Sequence, residues 1–196
     1  VQKIVETPEY YNEIIYNGCA PTSGAMLTAF YDRVVPNWDD LVIGIPPLHH
    51  DDDPIAVYNL ITLMGNYMNS TFSGTKITDM NTGLNEYFND HGHGDYSVVW
   101  SKNSIDYKSV IWSGNPAIMA IYTDSSPVPN HAVLGIGTSV TYMIGTRYIV
   151  RYNWRSRLGE YSLNPALFYG ISYMSRWGEK MKKLILAIIF MSLTIN

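Results

Sequence analysis

The sequence predicts an α+β fold, in which a helical half packs beside an antiparallel sheet. Apolar residues at helical spacing dominate the first half of the chain, and short apolar runs of strand length dominate the second half. No regular alternation of strand and helix occurs along the chain. Because parallel sheets need a crossover between successive strands, this segregated order favours antiparallel pairing.

The composition is that of a globular protein with one principal domain, assigned to residues 1–180. Of 196 residues, 46% are apolar and 15% are charged, so the chain can bury a sizeable core. Thirteen Lys and Arg against 17 Asp and Glu give a net charge of −4, with no long basic run. A nucleic-acid partner is therefore not expected, since such proteins usually carry a clustered basic face.

The best-defined helix is predicted over Cys19–Arg33. Pro21 fits only the first turn of a helix, where a missing backbone N–H costs nothing. Beyond it, the apolar residues at positions 25, 26, 29 and 30 recur at three- and four-residue steps. Further helices are predicted over Pro54–Met68, Thr82–Asp90 and Ile105–Trp112.

The strands are predicted mainly in the second half, between turns rich in Gly, Pro, Ser and Asn. They cover Tyr96–Trp100, Ala117–Tyr122, His131–Gly137, Tyr148–Trp154 and Phe168–Met174. Residues 1–17 are predicted to be an extended arm or loop, and the run Leu41–Ile45 a strand or a buried loop.

The last sixteen residues, 181–196, form a separate segment. Met181-Lys182-Lys183 precedes an apolar run and a polar end, the layout of a secretory signal peptide at the wrong end of the chain. The run is too short for a stable membrane span, which needs about 20 residues. It is either a docked C-terminal helix or an appended segment that begins at Met181. We prefer an appended segment, because Met-Lys-Lys has no special use in a core helix. If this segment was displaced from the front of this protein, it would indicate an extracytoplasmic or secreted location.

The single cysteine, Cys19, is the first candidate for catalysis. A lone cysteine excludes an intrachain disulfide and a zinc site built from cysteines. Cys19 lies in the opening turn of the predicted helix, where the helix dipole lowers a thiol pKa. Its own backbone N–H lacks an intrahelical partner there and is suited to binding an oxyanion.

An imidazole and a group that orients it would complete a thiol acyl-transfer site. Among the five histidines, His131 opens a predicted buried strand directly after a turn. Asn153 lies near the end of the predicted neighbouring strand, where its amide oxygen can accept the imidazole N–H. Taken alone, each residue has a structural alternative: a core histidine bonded to backbone, and a turn asparagine that caps a strand.

These patches resemble the C39-like branch of the papain-fold cysteine peptidases. Gly18-Cys19-Ala20-Pro21-Thr22-Ser23, followed by Met26, is similar to the nucleophile motif. His131-Ala132-Val133 and the stretch from Tyr148 to Asn153-Trp154 resemble the strands that carry the His and the Asn or Asp. The resemblance implies a papain-like fold, with Cys19 as nucleophile, His131 as general base and acid, and Asn153 as orienting residue.

The resemblance also implies a cysteine peptidase that needs no cofactor and acts on a peptide or protein. Papain-like enzymes carry a Gln shortly before the Cys as a second oxyanion donor, and here Asn12 is the candidate for that role. The alternatives are a cell-wall amidase or transacylase of the same fold, and a catalytically inactive papain-like binding module.

Metal binding is not expected at either of two polar clusters. His49-His50-Asp51-Asp52-Asp53 is predicted to be a solvated acidic loop, because consecutive residues rarely face one ion. His91-Gly92-His93-Gly94-Asp95 follows a predicted helix end and is interpreted as a turn. The sequence does not predict the oligomeric state.

Overall fold

The computed structural model describes most of the chain: residues 1–10, 18–36, 38, 41–42, 54–123, 130–142, 145–153 and 159–176. Within these ranges, a group of helices packs against an antiparallel sheet, which confirms the predicted α+β class. None of the helices in the described parts of the chain combines the length and the hydropathy needed to cross a bilayer.

Four α-helices precede or interrupt the sheet in the described residues: α1 (Cys19–Val34), α2 (Pro54–Tyr67), α3 (Ile77–Asp90) and α4 (Ser104–Trp112). A short 3₁₀ helix covers Pro165–Leu167. The four predicted helices are all present. The largest difference is the start of α3, which begins at Ile77 rather than at Thr82.

Seven strands form one sheet in the described residues: β1 (Gln2–Ile4), β2 (Tyr96–Ser101), β3 (Ala117–Ile121), β4 (His131–Thr141), β5 (Gly145–Arg151), β6 (Tyr161–Leu163) and β7 (Phe168–Arg176). Their order is β2-β7-β3-β4-β5-β6, and every pair is antiparallel. β1 pairs with β4 beyond the end of β3. The five predicted strands are present, while β1 and β6, of three residues each, were not predicted as strands.

The central helix is α1, which packs against α2 and α3 and against strands β3 and β4. Thirteen consecutive residues, from Ala20 to Asp32, are buried. Most residues of this run are small or apolar, as burial on all sides requires, and the buried carboxylate of Asp32 accepts a hydrogen bond from the Val42 N–H. The N-terminal end of α1 is thereby fixed against β4, the strand that begins at His131.

The predicted strand Tyr148–Trp154 requires a correction, because β5 ends at Arg151. Asn153 has a φ of +56°, in the left-handed region. A strand cannot continue through that conformation, and Asn is one of the few residues that adopts it readily. Asn153 therefore lies just beyond the strand, and its neighbour Trp154 lies outside the described residues.

Several other predictions also fall wholly or partly outside the described residues. They concern Asn12, the acidic cluster at 49–53, and the C-terminal segment at 181–196. For the run Leu41–Ile45, only Leu41 and Val42 are described. Both are buried in a bend, and the Val42 N–H donates to Asp32 Oδ1 at 3.1 Å.

Candidate active site

Cys19 is the first residue of α1, as the sequence predicts. Gly18 is the N-cap, and its carbonyl oxygen accepts the first helical hydrogen bond from the Thr22 N–H at 2.9 Å. Pro21 lies in the first turn, where its lack of an N–H is tolerated. The N–H groups of Cys19 and Ala20 have no carbonyl one turn earlier in the helix. This end of α1 therefore presents backbone donors next to the thiol.

The thiol of Cys19 is a weaker acid here than its place at a helix start predicts. Burial raises the pKa of the Cys19 thiol, because charge is costly away from water. Hydrogen bonding from the backbone of Ala132 and Ala20 acts in the opposite direction without reversing the rise.

His131 opens β4 as predicted, opposite Ile121 of β3, and its side chain is buried. Its Nε2 lies 3.3 Å from the carbonyl oxygen of Tyr152. Because a carbonyl oxygen only accepts, Nε2 carries the proton in this contact, and Nδ1 is the basic nitrogen of the neutral ring. The His131 and Tyr152 rings are also stacked, with centroids 5.7 Å apart and planes 26° apart.

The side chain of Asn153 joins the two elements that carry Cys19 and His131. Its Nδ2 lies 3.0 Å from the Cys19 carbonyl oxygen, 2.9 Å from the Ala132 carbonyl oxygen and 2.8 Å from Ser23 Oγ. Two of these partners can only accept, so the amide nitrogen must face them. We call this group of four residues the Asn153 clamp.

The hydrogen bond predicted from the His131 ring to the Asn153 amide oxygen is not formed. Among the described residues, Asn153 Oδ1 has no hydrogen-bond partner although it is buried, and Nε2 of His131 faces the Tyr152 carbonyl oxygen instead. The physical reason is the orientation of the amide, whose nitrogen is held by two carbonyl oxygens. In this arrangement, the backbone of Tyr152 orients the imidazole and Asn153 holds the start of α1.

Cys19 and His131 line one cavity of about 290 Å³. Its remaining walls come from Ala20, from Asn130 and the strands β3 and β4, and from the turn and the first part of α3 at residues 73–80. A thiol at a helix start and an imidazole at a strand start thus line the same space. This arrangement has two of the elements of thiol acyl transfer.

The described residues contain no group of three or more His, Cys, Asp or Glu side chains placed to hold a metal ion. His91 and His93 lie in the predicted turn after α3, and both make other contacts. His91 Nδ1 lies 2.7 Å from the Tyr87 carbonyl oxygen, and the His93 ring stacks on Trp38 at 4.1 Å.

Two residues of this site were not predicted from the sequence. Ser23 lies four residues after Cys19, on the same face of α1, so a helical projection would have placed it one turn from the thiol. Tyr152 directly precedes Asn153. It orients the His131 ring through its backbone carbonyl oxygen, and because every residue type has that oxygen, the sequence gives no signal for this role.

The arrangement of elements is similar to a solved peptidase domain. The peptidase domain of Streptococcus ComA, a bifunctional ABC transporter involved in a quorum-sensing pathway, matches this chain with a TM-score of 0.54. The match covers 86% of this chain and 98% of that domain, at 11% sequence identity. This chain has the fold of a peptidase domain. That domain is a C39 peptidase, so the shared fold supports the fold that the sequence motifs implied.

Neither a protein-family model nor a curated protein sequence matches this chain. The likeness to the ComA domain therefore concerns the fold alone.

Proposed function

We propose that this protein is a cysteine peptidase, with Cys19 as the nucleophile and His131 as the general base and general acid. The observation that supports it most is the common cavity of Cys19 and His131, in a fold shared with a peptidase domain. Each side chain is held at the start of a buried, regular element, which fixes its position better than a loop would.

The reaction begins with the neutral thiol, because burial raises its pKa. Nδ1 of His131 takes the thiol proton as Sγ attacks the carbonyl carbon of the substrate peptide bond. The carbonyl oxygen becomes an oxyanion, which accepts a hydrogen bond from the Cys19 N–H. Asn12 remains our candidate for a second donor.

The intermediate collapses when the C–N bond breaks and the imidazolium of His131 protonates the leaving amine. A water molecule then gives a proton to His131 and attacks the thioester carbon, and the C–S bond breaks to release the acid and the thiol. The Tyr152 carbonyl oxygen, at 3.3 Å from Nε2, stabilises the imidazolium in both steps.

Hydrolysis of quenched fluorogenic peptides by purified variants tests the proposal. We expect Cys19→Ser to fold normally and His131→Ala to remain folded, with activity lower by roughly a thousandfold or more in each. His91→Ala is the matched control, because it removes an imidazole that does not line the cavity, and its activity should equal that of the wild type. Substantial cleavage by Cys19→Ser would contradict the proposed mechanism.

The raised pKa of the Cys19 thiol favours a second candidate function, a catalytically inactive binding module. In that case, iodoacetamide should alkylate Cys19 more slowly than free cysteine at pH 7, because less thiolate is present. The rate should then rise only in alkaline solution and be unchanged in His131→Ala. For the peptidase, we expect alkylation near neutral pH that slows at least tenfold in His131→Ala.

A further inference from the structure

The cavity that Cys19 and His131 share is shaped by three alanines from three different elements. Ala20 belongs to α1, Ala120 to β3 and Ala132 to β4, and the last two are direct partners in the sheet. Their small side chains leave the space that larger residues would fill. A volume of about 290 Å³ lies at the lower end of the usual range for ligand pockets, so the cavity suits one side chain better than an extended ligand.

Another part of the lining comes from the beginning of α3. Met80 is buried and Ile77 is half-buried, so both turn apolar surface toward the cavity. Ser73, Thr75 and Asn130 add uncharged polar groups to the lining, and none of the described residues that line the cavity is Asp, Glu, Lys or Arg. A charged substrate side chain would lose its hydration there without gaining an ionic partner, which is costly.

From this lining, we infer that the cavity receives an uncharged apolar side chain of medium size, such as Leu or Met, from a peptide residue that adjoins the scissile bond. Ile77 and Met80 are then specificity-determining residues. The inference rests on the proposed peptidase function, since it takes Cys19 as the attacking group. An apolar pocket of this kind discriminates between side chains by their burial and by their charge.

The first test compares fluorogenic peptide mixtures in which Leu, Gly, Asp or Lys is fixed at each position in turn. We expect kcat/KM to be at least tenfold higher for Leu than for Asp at one position. Ile77→Lys should reduce this ratio at least fivefold, because its ammonium attracts the Asp side chain. Thr78→Lys is the matched control: it adds the same charge one residue along α3, at an exposed position that does not line the cavity, and should leave the ratio unchanged.

The second test separates peptide binding from catalysis. In Cys19→Ala labelled with ¹³C-methyl methionine, the Met80 signal is assigned by its loss in Met80→Leu. Leu-containing peptides should shift this signal, and the matching Asp-containing peptides should not. If the signal shifts but the wild type cleaves no peptide, the apolar site stands and the peptidase function falls. Cleavage without a preference for Leu, a preference that survives Ile77→Lys, or a Met80 signal unmoved by peptide would overturn the inference.

Discussion

The side-chain amide of Asn153 donates a hydrogen bond to the Cys19 carbonyl oxygen, across a distance of 3.0 Å. The same nitrogen reaches Ala132 on the strand that His131 opens, and Ser23 one turn along α1. The Asn153 clamp thus holds the helix that carries Cys19 against the strand that carries His131. In this role the amide nitrogen is the essential atom, whereas an orienting role toward His131 would require the oxygen.

The replacement Asn153→Asp tests this role directly. It places a carboxyl oxygen against two carbonyl oxygens, so we expect the free energy of unfolding to fall by about 2 to 3 kcal/mol at pH 7. These carbonyl oxygens and the burial favour the protonated acid, which raises its pKa in the folded state. The stability loss should therefore be small in acid and grow as the pH rises above about 4. Urea denaturation at several pH values measures it.

Asn103→Asp is the control for this experiment. Asn103 is the N-cap of α4, and its Oδ1 accepts from the Ile105 N–H at 3.0 Å. Asp keeps that acceptor and is an equally good N-cap, so stability at pH 7 should not fall. Equal stability losses in the two variants would argue against the clamp.

Gly83 allows α3 to lie close to the end of α2, which supports the wall of the cavity. A Cβ at this position would collide with the carbonyl group of Tyr67, and backbone cannot move aside as a flexible side chain can. We expect Gly83→Ala to lower the free energy of unfolding by about 1 to 3 kcal/mol. Thermal and urea denaturation measure the change.

For Gly65→Ala, in the neighbouring helix α2, we expect the opposite effect on the free energy of unfolding. The nearest atom to a Cβ there is Pro21 Cγ at 3.7 Å, an ordinary van der Waals contact. Alanine is the better helix former, so stability should rise by about 0.5 to 1 kcal/mol. If Gly83→Ala and Gly65→Ala change stability in the same direction, close packing at Gly83 does not explain the effect of Gly83→Ala.

The helices and the long strands could be predicted because their signals are local. Pro21 marks the start of α1, and apolar residues at helical spacing mark α2. The start of α3 was predicted five residues late because residues 77–81 contain only two apolar side chains, and their role is to line the cavity. The strands β1 and β6 could not be predicted, since three residues carry too little pattern and their pairing depends on β4 and β5.

In the candidate site, too, features with a local sequence signal could be predicted, and those that depend on packing could not. Cys19 and His131 could be selected from residue type and position in their elements, but their common cavity depends on the packing of α1 against β4. The contacts of Asn153 follow from a left-handed backbone conformation at φ +56°, which moves its side chain off the strand. That conformation has no signature in the sequence beyond the tolerance of Asn for it.

Tyr107 should make the protein sensitive to alkali. Its hydroxyl donates to the Gly137 carbonyl oxygen at 2.8 Å, and burial raises its pKa. The phenol therefore ionises more readily in the unfolded chain, at a pH of about 10, and stability should fall as the pH rises from there. Below that pH, its titration contributes nothing to the pH dependence.

Tyr107→Phe should weaken this dependence of stability on alkaline pH. At pH 7 it should lower the free energy of unfolding by about 1 to 3 kcal/mol, because the Gly137 carbonyl oxygen loses its buried hydrogen-bond donor. Some dependence should remain, because burial also raises the pKa of Tyr31. Tyr142→Phe, at a fully exposed position, should change neither quantity. Urea denaturation at pH 7 and pH 11 distinguishes these variants, and an unchanged alkaline slope in Tyr107→Phe would contradict the argument.

Tyr152 should affect catalysis through its ring as well as its backbone. The ring stacks on His131 at 5.7 Å and meets the Tyr161 ring edge-on at 5.5 Å, so it restricts the orientation of the imidazole. We expect Tyr152→Ala to lower kcat roughly tenfold to a hundredfold with little change in KM, since in the proposed mechanism the imidazole acts in the chemical step. Tyr152→Phe keeps the stacked ring and should retain wild-type rates. A matching loss in both variants would assign the effect to the hydroxyl, and a rise in KM alone would place Tyr152 in substrate binding instead.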